Sequence, residues 1–158
     1  MSAVTEDKTK LFEESFAVPF DTVCFVCTGN TCRSPMAEAI FNKLAKEKGL
    51  NVRAISAGLA ADGVSPMSKN SVEVLSENGV EFDSDFTSTQ IDSGIVAKCD
   101  KIVGITSTHA MSLMMRYPQF VEKIFAMPQD IVDPYGGDIG VYRACFDSIK
   151  SAIEEMLG

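Results

Sequence analysis

The stretch from Thr22 to Gly49 constrains this chain more than any other. Thr22-Val23-Cys24-Phe25-Val26 is a continuous apolar, β-branched and aromatic run, the pattern of a strand buried on both faces of a parallel sheet. It leads into Cys27-Thr28-Gly29-Asn30-Thr31-Cys32-Arg33-Ser34-Pro35. Ser34 is placed to cap a helix with Pro35 in its first turn. Ala37, Ile40, Phe41, Leu44 and Ala45 then share one helical face, and Gly49 closes the helix after Lys48. A strand, a tight loop and a helix N-terminus make an anion site, because unpaired backbone N–H groups and the helix dipole point at the loop. Cys27 stands where such a site holds a thiolate, and Arg33 adds a planar fork of donors for phosphate oxygens.

The bare spacing is weak evidence. Five Cys and four Arg in 158 residues produce a Cys and an Arg six positions apart by chance in about one chain in eight, so the strand and helix supply the specificity. A nucleotide-binding phosphate loop would end in Gly-Lys-Ser/Thr, which is absent here.

The rest of the chain repeats the alternation. Val52 to Ser56, Lys101 to Ile105 and Lys123 to Met127 read as further strands. Ser65-Pro66 reads as a helix start and Asn78-Gly79 as its stop, with Met67, Val74 and Leu75 on its core face. Ser107 is placed to cap a helix bearing Met111, Met114 and Met115, and His109 near its start reads as structural. Tyr142, Cys145, Phe146, Ile149, Ile153 and Met156 mark the buried stripe of a long last helix. Strands alternating with helices predict an α/β three-layer sandwich, a four-stranded parallel sheet with helices on both faces. Sites in such sheets lie at the carboxyl ends of strands, where the Cys27 loop leaves the first strand. The fourth strand leads there too, into Gln129-Asp130-Ile131-Val132-Asp133-Pro134-Tyr135-Gly136-Gly137-Asp138.

Composition bounds the partners. A chain that is 46% hydrophobic supports one domain over residues 21–158, with residues 1–20 as an extension, partly disordered or docked by a short turn at Phe12 and Phe16. A net charge of −8 with no basic run argues against nucleic acid and anionic membranes. An odd number of cysteines predicts a reducing, cytoplasmic setting, with Cys99 and Cys145 in the core. The Cys and His spacing does not fit a zinc site, and no cofactor is expected.

Val26 to Glu38, VCTGNTCRSPMAE, closely resembles the signature of low-molecular-weight protein tyrosine phosphatases. With Thr31 it looks most like the bacterial protein arginine phosphatases of that family. The resemblance covers Asp21 to Leu157. It implies that Cys27 attacks phosphorus, that Arg33 and the loop residues Thr28, Gly29, Asn30, Thr31, Cys32 and Ser34 bind the phosphoryl oxygens, and that an Asp protonates the leaving group. Asp130, Asp133 and Asp138 are the candidates on residue type alone. Asp133-Pro134-Tyr135 matches the family's Asp-Pro-aromatic loop, which assigns the acid to Asp133 and a pocket wall to Tyr135, while Gly136-Gly137 is expected to let the backbone approach a bulky substrate. Read as a local pattern, Asp133-Pro134 is also a turn opener. By the same resemblance Ser56, at the end of the second strand, bonds Asn30 and holds the loop open. The chain departs from many relatives in having Asp85-Phe86 where they carry a histidine that supports this Asn–Ser pair.

The implied function is hydrolysis of phosphorylated protein side chains through a cysteinyl phosphate, leaning to phosphoarginine, with phosphotyrosine as the alternative. A phosphate or sulfate ion is the expected occupant of the loop. An arsenate reductase would need a further cysteine pair, and Cys99 stands alone between Glu81 and Ile105. A non-catalytic phospho-ligand module would not need Cys27, Arg33 and Asp133 together. Cys32, five residues from Cys27 on a curled loop, is a candidate to trap an oxidised Cys27 as a disulfide.

Overall fold

The computed structural model of the protein describes residues 20–158. The expected turn at Phe12 and Phe16 lies outside them. Strands β1 (Thr22–Cys27), β2 (Arg53–Gly58), β3 (Lys101–Gly104) and β4 (Ile124–Ala126) form one sheet in the order β2-β1-β3-β4, and each neighbouring pair is parallel. Helices α1 (Arg33–Glu47), α2 (Lys69–Glu77), α3 (Ser93–Lys98), α4 (Ser107–Arg116) and α5 (Ile139–Leu157) connect or follow the strands, with a short 3-10 turn at Pro118–Lys123. Among the described residues no helix is long and apolar enough to cross a membrane.

The layers follow from the pleat of β1, whose side chains alternate between two cores. Val23, Phe25 and Cys27 enter a core shared with Ile40 and Phe41 of α1 and Phe146, Ile149 and Ile153 of α5. Cys24 and Val26 enter the opposite core with Val96 of α3 and Ala110 and Leu113 of α4. Burial on both faces is why β1 reads as an unbroken apolar run. Phe25 and Phe41 pack with ring centroids 5.7 Å apart, and Phe20 lies 6.4 Å from Phe41, both pairs tilted. The order places the chain reversal between β1 and β3, so the crevice at the carboxyl end of β1 is the natural ligand site.

Several helix starts differ from the sequence reading. Helix α1 begins at Arg33, with Cys32 at its N-cap and no side-chain cap, so Ser34 is inside the first turn. Helix α2 begins after Ser68, whose Oγ accepts from Ser71 N, whereas Ser65 is bound to Asp62 in the preceding loop. Thr106, not Ser107, caps α4. At α2 and α4 more than one residue has an acceptor near the right spacing, and the structure uses Ser68 and Thr106. Asn78-Gly79 does end α2, Gly79 having φ of 67°. Helix α3 is six residues long, too short for its period to stand out, and depends on the Asp92 cap accepting from Ile95 N at 2.8 Å.

Candidate active site

Cys27 is the last residue of β1, only 3% exposed, and its sulfur meets polar groups of its own loop. The Asn30 N–H donates to Cys27 Sγ at 3.3 Å, and Ser34 Oγ lies 2.9 Å from the same sulfur. Starting α1 at Arg33 is what turns Ser34 inward. Ser34 Oγ accepts from Asn30 Nδ2 at 2.8 Å, which leaves its proton for the sulfur or, at 3.4 Å, for Ala57 O.

Asn30 is the strut of the loop. It is fully buried in the left-handed region at φ 59°, which Asn tolerates better than other side-chain-bearing residues. Its Nδ2 also donates to Ser56 Oγ at 3.0 Å, and its Oδ1 accepts from Thr89 N at 2.8 Å. Ser56 in turn donates to Glu38 Oε1 at 2.7 Å. Burial pushes the Glu38 carboxyl up, against the Ser56 bond and the charge of Arg53. Glu38 and the Thr89 backbone therefore close the network, while Asp85 and Phe86 turn back onto Asp83. The sequence reading did not assign Glu38 a place in it. Its signal was an acid four residues after Ser34, one turn along α1.

The end of β2 is zipped to the loop. Leu59 N donates to Cys27 O and Ala60 N to Thr28 O, each at 2.9 Å. A Cβ on Gly58 would stand 2.5 Å from Thr28 O and 3.1 Å from Asn30 N, both backbone atoms. Gly58→Ala is therefore expected to push the loop away from β2. It should destabilise the fold by about 1–3 kcal/mol and weaken binding of inorganic phosphate, as read by thermal unfolding and calorimetric titration.

Arg33 is 7% exposed and joins this loop to the one after β4. Its Nη1 donates to Ile131 O at 3.0 Å, and its Nη2 lies 3.7 Å from Asp133 Oδ2. Asp133 Oδ1 accepts from Tyr135 N at 3.1 Å, so one carboxylate oxygen opens the turn while the other faces Arg33. The other two carboxylates are engaged elsewhere. Asp130 accepts from Ser107 N at 2.8 Å and from Ser107 Oγ at 3.2 Å, and Asp138 caps α5 through Val141 N at 3.1 Å. The glycines have a local use. Gly136 turns with φ of 81°, and a Cβ on Gly137 would meet Val141 at 2.8 Å, so both serve the entry into α5. Val132 and Tyr135 stand out from this loop, 80% and 82% exposed.

Thr28 lies at the exposed rim, and Gly29 and Thr31 are half-buried. Thr31 O accepts from Ser68 N at 2.8 Å, which ties the start of α2 to the loop. All five cysteines are free and buried. Cys32 Sγ lies 3.4 Å from Tyr142 Oη, and burial with that contact pushes the Tyr142 phenol up to about 12. Burial likewise pushes Cys145 up to about 12. His109, read from the sequence as structural, is 6% exposed and reaches the site, its Nε2 lying 3.0 Å from Thr28 Oγ1. Burial first and the Arg33 charge second pull it down to about 4, against Asp133 and Asp130.

The low molecular weight phosphotyrosine protein phosphatase family matches residues 22–158. A protein-arginine-phosphatase of Bacillus subtilis is 30% identical over 141 residues, covering 85% of this chain and 93% of the relative. One from Geobacillus stearothermophilus is 36% identical, covering 85% and 92%. An arsenate reductase of Brevibacillus brevis is 38% identical over 134 residues, covering 85% and 92%. Among solved structures, the arginine phosphatase YwlE, in a mutant with a phosphorylated active-site serine, superimposes with a TM-score of 0.81 at 30% identity, covering 85% of this chain and 91% of that one. With the strand order, the Cys27–Arg33 loop and this coverage, the chain belongs to the low-molecular-weight phosphotyrosine protein phosphatase family.

Proposed function

We propose that the protein hydrolyses phosphorylated protein side chains through a cysteinyl phosphate, with phosphoarginine preferred. The Cys27 thiolate attacks phosphorus, and the bond to the side-chain nitrogen or oxygen breaks as Asp133 gives that atom a proton. Water then attacks the phosphocysteine, Asp133 takes its proton, and inorganic phosphate leaves with the thiolate restored. Arg33 and the loop N–H groups face the phosphoryl oxygens throughout, and an inorganic phosphate or sulfate ion fits the same loop. One observation carries the reading. Cys27 and Arg33 stand at the two ends of a single loop, and Arg33 brings the Asp133 carboxylate to it at 3.7 Å. The phosphorylated serine in the YwlE mutant supports covalent transfer to the loop.

An arsenate reductase is disfavoured by where the thiols lie. Cys99 precedes β3, at the opposite end of the parallel sheet from Cys27, and is packed in the other core with Cys24. Five free cysteines fit a reducing compartment such as the cytoplasm.

The preference for phosphoarginine rests on Thr31 and on the names of the relatives. A phosphorylated guanidinium carries N–H donors that lose water on entering the loop, and the Thr31 hydroxyl can accept one. An aliphatic side chain would leave that donor unpaired, at about 1–3 kcal/mol, or roughly ten- to hundredfold in discrimination. The test is steady-state kinetics on phosphoarginine and phosphotyrosine peptides, with wild type and Thr31→Ile side by side. The variant should lose kcat/KM for phosphoarginine and keep or gain it for phosphotyrosine. An unchanged ratio would remove Thr31 as the selector.

A further inference from the structure

We propose that His109 is a positioning residue of the phosphoryl-binding loop, an Nε2–H donor that fixes the Thr28 side chain at the rim of the site. The tautomer follows from the partners of the ring. Thr106 N–H donates to His109 Nδ1 at 3.2 Å, and a backbone N–H can only donate, so Nδ1 is an acceptor without a proton. The Thr106 hydroxyl, 3.0 Å from the same Nδ1, closes a reciprocal pair with the His109 N–H at 3.2 Å, the capping box of α4. The ring proton is therefore on Nε2, which lies 3.0 Å from Thr28 Oγ1 and donates to it. The hydroxyl oxygen of Thr28 is thereby held, and its own proton is left to donate to an incoming phosphorylated group.

The position of Thr28 gives this bond its effect. Thr28 directly follows the nucleophile, and its backbone is already fixed by Ala60 N donating to Thr28 O at 2.9 Å. Its side chain is exposed, and the His109 ring is what meets its hydroxyl and selects one of its rotamers. His109 itself is buried behind it and cannot reach solvent-borne partners freely. Burial and the Arg33 charge outweigh Asp133 and Asp130 and hold the imidazole near 4, so the donor keeps one protonation state through the neutral range. One ring thus couples the start of α4 to the loop at the end of β1, 81 residues away in sequence.

The proposal builds on the phosphatase reading for its kinetic test and carries a second readout that does not need turnover. His109→Asn keeps an acceptor toward Thr106 but is too short to reach Thr28; His109→Gln extends an N–H to the Nε2 position. Both are measured with Thr28→Val and the T28V/H109N double variant, as kcat/KM on p-nitrophenyl phosphate and as Kd for orthovanadate. H109N should lose about five- to twentyfold in both, H109Q should recover most of that, and H109N should add less than twofold on top of T28V. H109N behaving as wild type, or losses that multiply in the double variant, would overturn the proposal. The imidazole 15N spectrum of the wild-type protein at neutral pH decides the tautomer even if a variant fails to fold: a proton on Nδ1 would also overturn it. A wild-type protein inactive on every phosphorylated substrate would sink the phosphatase reading, while the vanadate cycle and the spectrum still judge His109.

Discussion

Cys27→Ser is expected to abolish steady-state turnover, by at least about 10³-fold in kcat, while the protein still folds and binds inorganic phosphate. The substitution changes one atom, and an oxygen there can still meet the Asn30 N–H and Ser34 Oγ while the other bonds of the loop do not involve it. Asn30 keeps its bonds to Ser34, Ser56 and Thr89, and Arg33 keeps Ile131 and Asp133. What is lost is a sulfur nucleophile, and a serine hydroxyl in the same place attacks phosphorus far less well. A serine mutant of YwlE carries a phosphorylated active-site serine. Intact-mass spectrometry of Cys27→Ser after long incubation with a phosphorylated peptide should accordingly find at most one added phosphoryl group, on residue 27. Multiple turnovers by a preparation free of wild-type enzyme would take the nucleophile's role from Cys27.

The parts of this site that were legible in the sequence are those whose chemistry is local. The loop from Cys27 to Ser34 is one uninterrupted segment between an apolar strand and an amphipathic helix, so its residue types and spacing survive without any tertiary information. The parallel sheet was legible for a similar reason, because burial on both faces leaves β1 without a polar position from Val23 to Cys27. The supporting contacts were not legible, since they join distant residues of ordinary type. His109 meets Thr28 across 81 positions, Cys32 meets Tyr142 across 110, and Asp130 meets Ser107 across 23. Helix starts shifted by one to three residues wherever serines and threonines compete for the cap, as Thr106 and Ser107 do. The Gly136-Gly137 pair suited a substrate approach equally well on residue type, and only the nearness of Val141 assigns Gly137 to the turn.

The three aspartates of the second loop differ in what they bond, and Asp133 sets the other large effect. Asp130 is held through both oxygens by Ser107, and Asp138 caps the first turn of α5 through Oδ1. Asp133 alone of the three pairs with Arg33, through Oδ2 at 3.7 Å, while Oδ1 is fixed by the Tyr135 N–H. Asp133→Asn keeps the shape of the side chain and can keep the turn bond, but it cannot give up and recover a proton. Loss of general acid catalysis costs about 10²–10⁴-fold when the leaving group needs the proton. An alkyl phosphate should therefore lose by that order, whereas p-nitrophenyl phosphate, whose phenolate leaves unaided, should lose far less in the phosphorylation step. Its later hydrolysis also loses the base, so phosphocysteine should accumulate and a burst of p-nitrophenol should precede a slow steady rate. Stopped-flow absorbance of the variant reads both phases in one trace. Equal losses on the two substrates with no burst, in a protein whose melting temperature matches wild type, would return Asp133 to a turn opener and leave the proton donor to be sought elsewhere in the loop.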